Sequence, residues 1–169
     1  MERIVECRPA EVLKVLPTAG HAVVSIRGGD YAPLGRMLDD DYLEGAIDAG
    51  ILSGQEMVLI VGADGRANEH ARQLLARHGI SSSPAPTTSN ALEALVMDFW
   101  AIATARSVVM SNSTFCWWAA RVGETVTPEQ TVTYPAGWVT GDPDHLLSRT
   151  LLLPGWRPLA SSCVAPAAD

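Results

Sequence analysis

The chain has 169 residues, of which 47% are hydrophobic and 18% charged, and its formal net charge is −7. This composition is typical of one globular domain, and a domain of this length buries enough surface to fold without disulfides. Lys14 is its single lysine and no basic cluster is present, which argues against nucleic-acid binding through a broad positive face.

The sequence also predicts a compartment. The odd count of three cysteines, Cys7, Cys116 and Cys163, fits reduced thiols better than a disulfide framework. The start, "MERIVECRPAE", is charged and does not resemble a signal peptide. Residues 91–105 form the most apolar long stretch, which is too short and too acidic to span a bilayer. We therefore expect a soluble, cytoplasmic protein without a transmembrane segment.

Two strands and two helices are predicted in the first half of the chain. Residues 22–30 and 56–64 are predicted to be buried strands, because each is a short β-branched run that ends with glycine-containing turn residues. Residues 39–51 begin with acidic side chains, which suit the positive end of a helix dipole. Residues 68–80 carry an apolar stripe at helical spacing, with Gly79 placed where a helix ends.

The second half continues the alternation. Residues 80–89 form a loop with room for a short edge strand, and residues 90–105 form the longest helix, which begins with a capping Asn90. Its predicted buried face consists of Leu92, Leu95, Val96, Phe99, Ile102 and Ala103. The remaining elements are a strand at 106–111, a helix at 113–123 that Gly123 ends, and a last strand at 131–135.

Apolar strands that alternate with helices predict the fold class. The pattern is typical of βαβ units, and it predicts a Rossmann-like, doubly wound α/β domain with a mostly parallel sheet. In such folds ligands bind beyond the carboxyl ends of the strands. Three strand ends are therefore candidates, namely "SIRGGDY" (25–31), "VGADGRA" (61–67) and "MSNSTF" (110–115).

The first strand end centres on Arg27. An unpaired charge at the end of a buried strand is costly, so Arg27 needs an anionic partner. A ligand phosphate would suit its planar guanidinium, and Gly28 and Gly29 would let the backbone approach such a ligand. A turn locked by an Arg27–Asp30 ion pair, with no ligand, explains the same residues equally well.

The second and third ends are polar in different ways. Asp64 is placed to accept hydrogen bonds from a base or ribose, or to cap the helix that follows it, and on the local sequence the cap is favoured. At the third end, Ser113 and Thr114 add hydroxyl groups to a helix N-terminus, which favours anions. The adjacent Trp117 and Trp118 are expected to face the sheet and to position this turn.

No metal or nucleophile is predicted. The four histidines, at 21, 70, 78 and 145, lack the spacing of metal ligands. Cys116 has no histidine partner in its sequence context and is more consistent with a core residue than with a nucleophile.

These motifs together resemble one family. "SIRGGDY" is similar to the His-x-Arg-Arg-x-Asp-Tyr pattern of the α-1,2-fucosyltransferases, which is shared more distantly by the α-1,6 and protein O-fucosyltransferases. "NSTFCWWAA" (112–120) resembles the family's Asn-Ser-Ser-Phe-Ser-Trp-Trp segment, and "DFWAIATA" (98–105) resembles the helix before it. "PAGW" (135–138) and "PGW" (154–156) look like its two Pro-x-x-Trp elements, so that the likeness runs over roughly residues 20 to 160.

The resemblance implies the donor-nucleotide-binding half of a GT-B glycosyltransferase, with GDP-fucose or a related GDP-hexose as donor substrate and no cofactor. It implies that Arg27 neutralises the β-phosphate as the fucosyl bond breaks and that Asp64 reads guanine. Transfer would be inverting and independent of metal, with arginine and backbone dipoles stabilising the leaving group. The donor-binding residues implied by the motifs or by the strand ends are Ser25, Gly28, Asp30, Asp64, Asn112, Ser113, Thr114 and Phe115.

The sequence departs from the family at three points. Ser25 replaces the family's histidine and Gly28 its second arginine, and the acceptor-binding half is expected to be missing. Loss of one cationic group at a desolvated phosphate site lowers rates by roughly 10²–10³, by analogy with an oxyanion-hole donor. The predicted organisation is a helix or linker at 1–20, a GDP-sugar-binding domain at 21–160 and a tail at 161–169.

Three interpretations follow. The chain is a reduced fucosyltransferase whose glycan-acceptor surface comes from a homodimer mate or a partner chain, or it is an inactive GDP-sugar-binding module. The third interpretation, outside the family, is a plain α/β scaffold in which Asp30 alone pairs with Arg27.

Overall fold

The computed structural model describes residues 14, 16, 20–138 and 153–161, so that most of the predicted segments at 1–20 and 161–169 lie outside the described residues. The strands are β1 (His21–Ser25), β2 (Met57–Val61), β3 (Ser82–Pro84), β4 (Ser107–Val109), β5 (Thr131–Pro135) and β6 (Arg157–Leu159). The helices are α1 (Asp40–Asp48), α2 (Gly65–Arg77), α3 (Ala91–Ala103) and α4 (Thr114–Val126), with a short 3-10 helix at Gly29–Tyr31.

The strands form one six-stranded sheet in the order β3-β2-β1-β4-β5-β6, and every described pair is parallel. This order begins in the middle with β1, grows outward to β3, and then returns to place β4 against the other side of β1. The predicted Rossmann-like, doubly wound α/β fold is confirmed. The switch point, where ligands bind in such sheets, lies between the carboxyl ends of β1 and β4.

Alternating side chains of the central strands build two cores, because successive residues of a strand point to opposite faces. On β1, Val23 packs with α3 and α4, whereas Ala22 and Val24 pack with α1 and α2. The next strand repeats the pattern, with Leu59 in the first core and Ile60 in the second. Helices therefore cover both faces, and α1 and α2 share the face on which the connections after β1 and β2 run.

Polar side chains cap the first turns of three of the helices. The carboxylates of Asp39 and Asp64 and the amide oxygen of Asn90 each accept backbone N–H groups in the first turns of α1, α2 and α3. These side chains occupy N–H groups that the helix itself leaves unpaired. After α2, Gly79 has a φ of 72°, as predicted for the residue that ends this helix.

Several predicted boundaries were wrong. The first strand ends at Ser25, and the following residues turn away through the 3-10 helix instead of extending the strand to residue 30. Helix α4 continues past Gly123 to Val126, and this glycine is buried where a Cβ would overlap the side-chain amide of Gln130, so close packing rather than a helix end accounts for it. The edge strand β3 falls within the predicted loop, whereas β6 was missed.

The predicted buried face of α3 was wrong in its first turns. Leu92 and Leu95 are 70% and 50% exposed, whereas Met97, Trp100 and Ala101 are buried. Ile102 and Ala103 are buried as predicted. Apolar residues surround nearly the whole of this helix, so the spacing alone did not single out the side that contacts the sheet.

Asp98 is the partly buried acid of α3, and desolvation raises its pKa to about 6. The unfolded chain releases this proton near the usual value of 3.8, so the folded state holds more protons between about pH 4 and 6 and its stability falls across that window as pH rises. We expect Asp98→Asn to remove this fall and to raise the free energy of unfolding at pH 7.5 by about 1–2 kcal/mol, after a discount for the partial exposure of the carboxyl.

Urea unfolding of wild type and Asp98→Asn at pH 4.5 and 7.5 measures this effect, because other titrating groups cancel in the difference. An equal stability difference between the two proteins at both pH values would contradict it.

Among the described residues, no helix is long and apolar enough to cross a membrane.

Candidate functional site at the switch point

The carboxyl ends of β1 and β4 are joined by side chains. The Ser25 Oγ lies 3.0 Å from the Ser111 Oγ, and both residues are buried. The Tyr31 hydroxyl donates to the main-chain oxygen of Asn112 at 3.2 Å. The two loops that the sequence singled out on either side of the switch point are therefore in direct contact.

Arg27 follows this edge, and its side chain is 37% exposed. Its Nη2 donates to both carboxylate oxygens of Asp30, at 3.2 and 2.9 Å, and its Cζ lies 4.5 Å from the centre of the Tyr31 ring. The predicted Arg27–Asp30 pair is therefore present. The Arg27 Nε, by contrast, is buried and has no hydrogen-bond partner among the described residues.

Asp64 caps α2 and also holds the loop after β1. Its Oδ1 accepts the N–H groups of Arg66 and Ala67, and its Oδ2 accepts that of Gly29 at 2.6 Å. The Ala67 N–H, followed by those of Gly29 and Arg66, holds the pKa of the Asp64 carboxyl below its usual value. The favoured cap interpretation is thus confirmed, and the guanine-reading role stays a prediction.

Gly28 lies against this carboxylate. A Cβ at position 28 would stand 2.6 Å from the Asp64 Oδ2 and 2.8 Å from its Cβ and Cγ. The family's second arginine therefore has no room here while Asp64 caps α2. This contact gives a structural reason for the departure that the sequence showed at Gly28.

The segment after β4 divides its polar residues between the interior and the surface. Asn112 is 4% exposed, and its Nδ2 donates to the main-chain oxygens of Arg36 and Trp138, at 2.9 and 3.2 Å. Ser113 is the N-cap residue of α4, but its side chain makes no capping hydrogen bond. Thr114 is exposed.

The aromatic residues of α4 differ from expectation. The Phe115 ring is partly buried and packs edge-on against Phe99, with the ring centres 5.8 Å apart. Trp117 contacts Trp156 at 6.1 Å, and Trp118 is 55% exposed. The prediction that both indoles face the sheet was wrong. The small residues of α4, namely Cys116, Ala119, Ala120 and Gly123, take that side.

Cys116 is fully buried beneath the same edge. Desolvation raises the pKa of its thiol to about 12. A thiol that stays protonated and inaccessible is not a nucleophile, so its expected place in the core is confirmed.

A cavity of about 400 Å³ opens at the switch point on the side of α1 and α2. Arg27, Asp64 and Asn112 line it where β1, β2 and β4 end. A smaller depression of about 360 Å³ lies between residues 26–30 and 63–65 and shares Arg27 and Asp64 with it. Of the predicted donor-binding residues, Ser25, Arg27, Asp64 and Asn112 thus converge on one cavity, whereas Ser113, Thr114 and Phe115 are not among the described residues that line it.

The sequence did not mark the helical walls of this cavity. Asp40 in α1 and His70 in α2 line it and approach each other, with the His70 Nε2 2.7 Å from the Asp40 Oδ1. Arg66, one turn before His70, lines it as well. Arg66 and His70 are four residues apart and therefore on one side of α2, but this signal is informative only once α1 is known to lie opposite.

Within the described residues, no group of three or more His, Cys, Asp or Glu side chains forms a candidate metal site. The architecture defines a doubly wound α/β protein with a cavity at its switch point. No protein-family model matches the chain, and no curated protein does either.

Proposed function

We propose that this chain binds a GDP-sugar, GDP-fucose or a related GDP-hexose, and belongs to the fucosyltransferase-like glycosyltransferases that its motifs resemble. The observation that carries the proposal is the position of Arg27. It borders a cavity of about 400 Å³ at the switch point of the sheet, which is within the usual size of small-molecule sites. Its side chain is 37% exposed there, and the charge-assisted hydrogen bonds of a guanidinium suit a phosphate.

The proposed chemistry is electrostatic. As the bond between fucose and the β-phosphate breaks, negative charge grows on the leaving diphosphate, and Arg27 stabilises it with charge-assisted hydrogen bonds. Transfer would be inverting and would need no metal. The glycan acceptor would be held by a second copy or a partner chain, and a cytoplasmic location is part of the same proposal.

A binding module without transferase activity is the second candidate, and two contacts favour it. Gly28 has no room for a second cation beside Asp64, and the Ser25 hydroxyl, at the position of the family's histidine, lies against Ser111. A site that keeps one of the two arginines of the family motif retains phosphate binding but loses part of the charge stabilisation that transfer requires.

The scaffold interpretation rests on the Arg27–Asp30 pair. Both partners are exposed to solvent, at 37% and 69%, and such pairs contribute about 0–1 kcal/mol. A diphosphate that carries more charge than one carboxylate can displace Asp30 at this small cost. Asp30→Asn removes the competing anion, so we expect it to tighten nucleotide binding if Arg27 is a phosphate ligand.

Calorimetric titration with GDP, with UDP as the comparison nucleotide, tests the proposal. We expect GDP to bind and UDP to bind more weakly, and a protein that binds neither nucleotide would be the scaffold. Release of GDP from GDP-fucose in the presence of galactosides then separates the transferase from the binding module.

A further inference from the structure

Arg66 is a second arginine on the cavity at the switch point. It is exposed, and it lines the cavity together with Arg27 and Asp64. Arg27 comes two residues after β1 and Arg66 five residues after β2. These strands are parallel neighbours, and their last residues, Ser25 and Val61, are paired in register. The two arginines therefore follow adjacent strand ends at the same edge of the sheet.

One carboxylate holds the main chain at both places. The Asp64 Oδ1 accepts the N–H of Arg66 at 2.9 Å, and its Oδ2 accepts the N–H of Gly29 at 2.6 Å. Gly29 is two residues beyond Arg27, so Asp64 ties the loop after β1 to the first turn of α2. The same carboxylate takes the space that a side chain at Gly28 would need. The position of the family's second arginine is thus closed, whereas Arg66 borders the cavity.

Arg66 stands where the local chemistry of a helix disfavours it. It is the second residue of α2, whose first turn contains no acidic residue. An arginine there faces the positive end of the helix dipole, where acidic residues are favoured. Its guanidinium forms no ion pair with any described residue, Asp64 included, whereas Arg72 and Arg121 each pair with a glutamate. Residues that break such local rules without compensation are expected at functional sites.

The acidic residues of the cavity give a second reason to expect a functional cation. Asp39, Asp40 and Asp64 all line the cavity. Asp39 caps α1, the Asp40 Oδ1 lies 2.7 Å from the His70 Nε2, and Asp64 caps α2, so hydrogen bonds within the protein engage each carboxylate. Their negative charge still opposes the approach of an anion. An anionic ligand in this cavity therefore requires more than one arginine.

We infer that Arg66 supplies the second cation for the diphosphate of the bound nucleotide, in place of the arginine that the family motif carries where this chain has Gly28. Arg27 and Arg66 each donate charge-assisted hydrogen bonds to phosphate oxygens. This inference rests on the proposed function for the identity of the ligand as a nucleoside diphosphate. It adds a phosphate ligand from α2, and with it charge stabilisation that transfer requires.

Arg66→Ala tests the inference, with Arg77→Ala as the matched control. Both changes remove one positive charge from α2, but Arg77 is exposed in the last turn and is not among the described residues that line the cavity. We expect Arg66→Ala to weaken the binding of GDP and of pyrophosphate by at least about tenfold each, measured by titration calorimetry at one salt concentration. Arg77→Ala should change neither affinity.

Thermal denaturation checks that the variant is folded. Because Arg66 opposes the helix dipole, we expect the Tm of Arg66→Ala to equal or exceed that of wild type, so that lost binding does not reflect lost structure. Arg66→Gln, which keeps more of the side chain without the charge, replaces Arg66→Ala if the latter does not fold.

The outcomes separate the two proposals. If wild type binds GDP and Arg66→Ala binds it within about twofold of wild type, only this inference falls. If Arg66→Ala weakens GDP binding but not pyrophosphate binding, Arg66 contacts the nucleoside, and the inference falls again. An equal loss in Arg77→Ala would show an effect of net charge alone and would also overturn it. If wild type binds neither GDP nor pyrophosphate, the proposed function itself is overturned, and the inference with it.

Discussion

Replacing Arg27 by alanine is expected to weaken GDP binding by at least about 100-fold, which corresponds to roughly 2.7 kcal/mol. The guanidinium is the cation that follows β1 at the switch point, and it lines both the cavity and the depression beside it. A charge-assisted contact to phosphate from a planar guanidinium is lost. Titration calorimetry at one fixed salt concentration measures the change.

Two further variants sharpen this experiment. Arg27→Lys keeps the charge but not the planar fork, so we expect an affinity between those of wild type and Arg27→Ala. Arg77→Ala removes an exposed arginine from the last turn of α2 and should leave GDP affinity unchanged. Full affinity in Arg27→Ala would show that Arg27 serves only to lock the turn with Asp30.

Replacing Gly28 by alanine is expected to lower the free energy of unfolding by about 1–3 kcal/mol, because its Cβ would push Asp64 away from the α2 N-terminus and from Gly29. Loss of an N-cap alone costs about 0.5–2 kcal/mol. Urea denaturation followed by circular dichroism measures the difference.

Gly65→Ala is the matched control. Gly65 is the first residue of α2, and a Cβ there would meet nothing within 4 Å. We expect this change to be neutral or to stabilise the protein by up to about 1 kcal/mol, since alanine favours a helix over glycine. Equal stabilities for the two alanine variants would contradict the role given to the Gly28–Asp64 contact.

The Gly28–Asp64 contact also bears on whether the second arginine of the family motif can be introduced at position 28. Gly28→Arg recreates the motif of the family that the chain resembles, yet any side chain at this position meets the Asp64 carboxylate first. Asp64 is engaged by three backbone N–H groups, so it has little freedom to move aside. A gain of transferase activity in Gly28→Arg is therefore not expected unless Asp64 is replaced as well.

The sequence predicted the alternation of strands and helices well because burial imposes regular patterns. A parallel strand covered on both faces is continuously apolar, as residues 58–61 are, and a capping side chain such as Asn90 marks a helix start. Where apolar residues surround a helix, as in α3, their spacing does not indicate which side faces the sheet, and part of the predicted buried face was wrong. The three-residue strand β6 is too short for any periodicity to show.

The sequence predicted only part of the chemistry of the site, because it indicates which loops meet but not which atoms pair. Arg27, Asp64 and Asn112 stand at strand ends, and parallel strands bring their carboxyl ends to one edge, so their convergence follows from the fold class. The fold class does not determine which hydrogen-bond partner each of these side chains takes, because that choice depends on distances of a few tenths of an ångström. The sequence could not show that Asp64 accepts the Gly29 N–H or that Trp118 is exposed.

By itself the sequence determined a doubly wound α/β domain and the loops in which polar side chains gather, because these depend on neighbours along the chain. Only the tertiary structure decided that α1 and α2 enclose a cavity with Asp40 and His70 on its wall, since these residues are 30 positions apart and meet through packing alone. It also decided that the Arg27 Nε and the Asn112 Oδ1, which follow β1 and β4, are buried with no hydrogen-bond partner among the described residues. Burial and pairing are properties of surfaces brought together in space, and local patterns do not encode them.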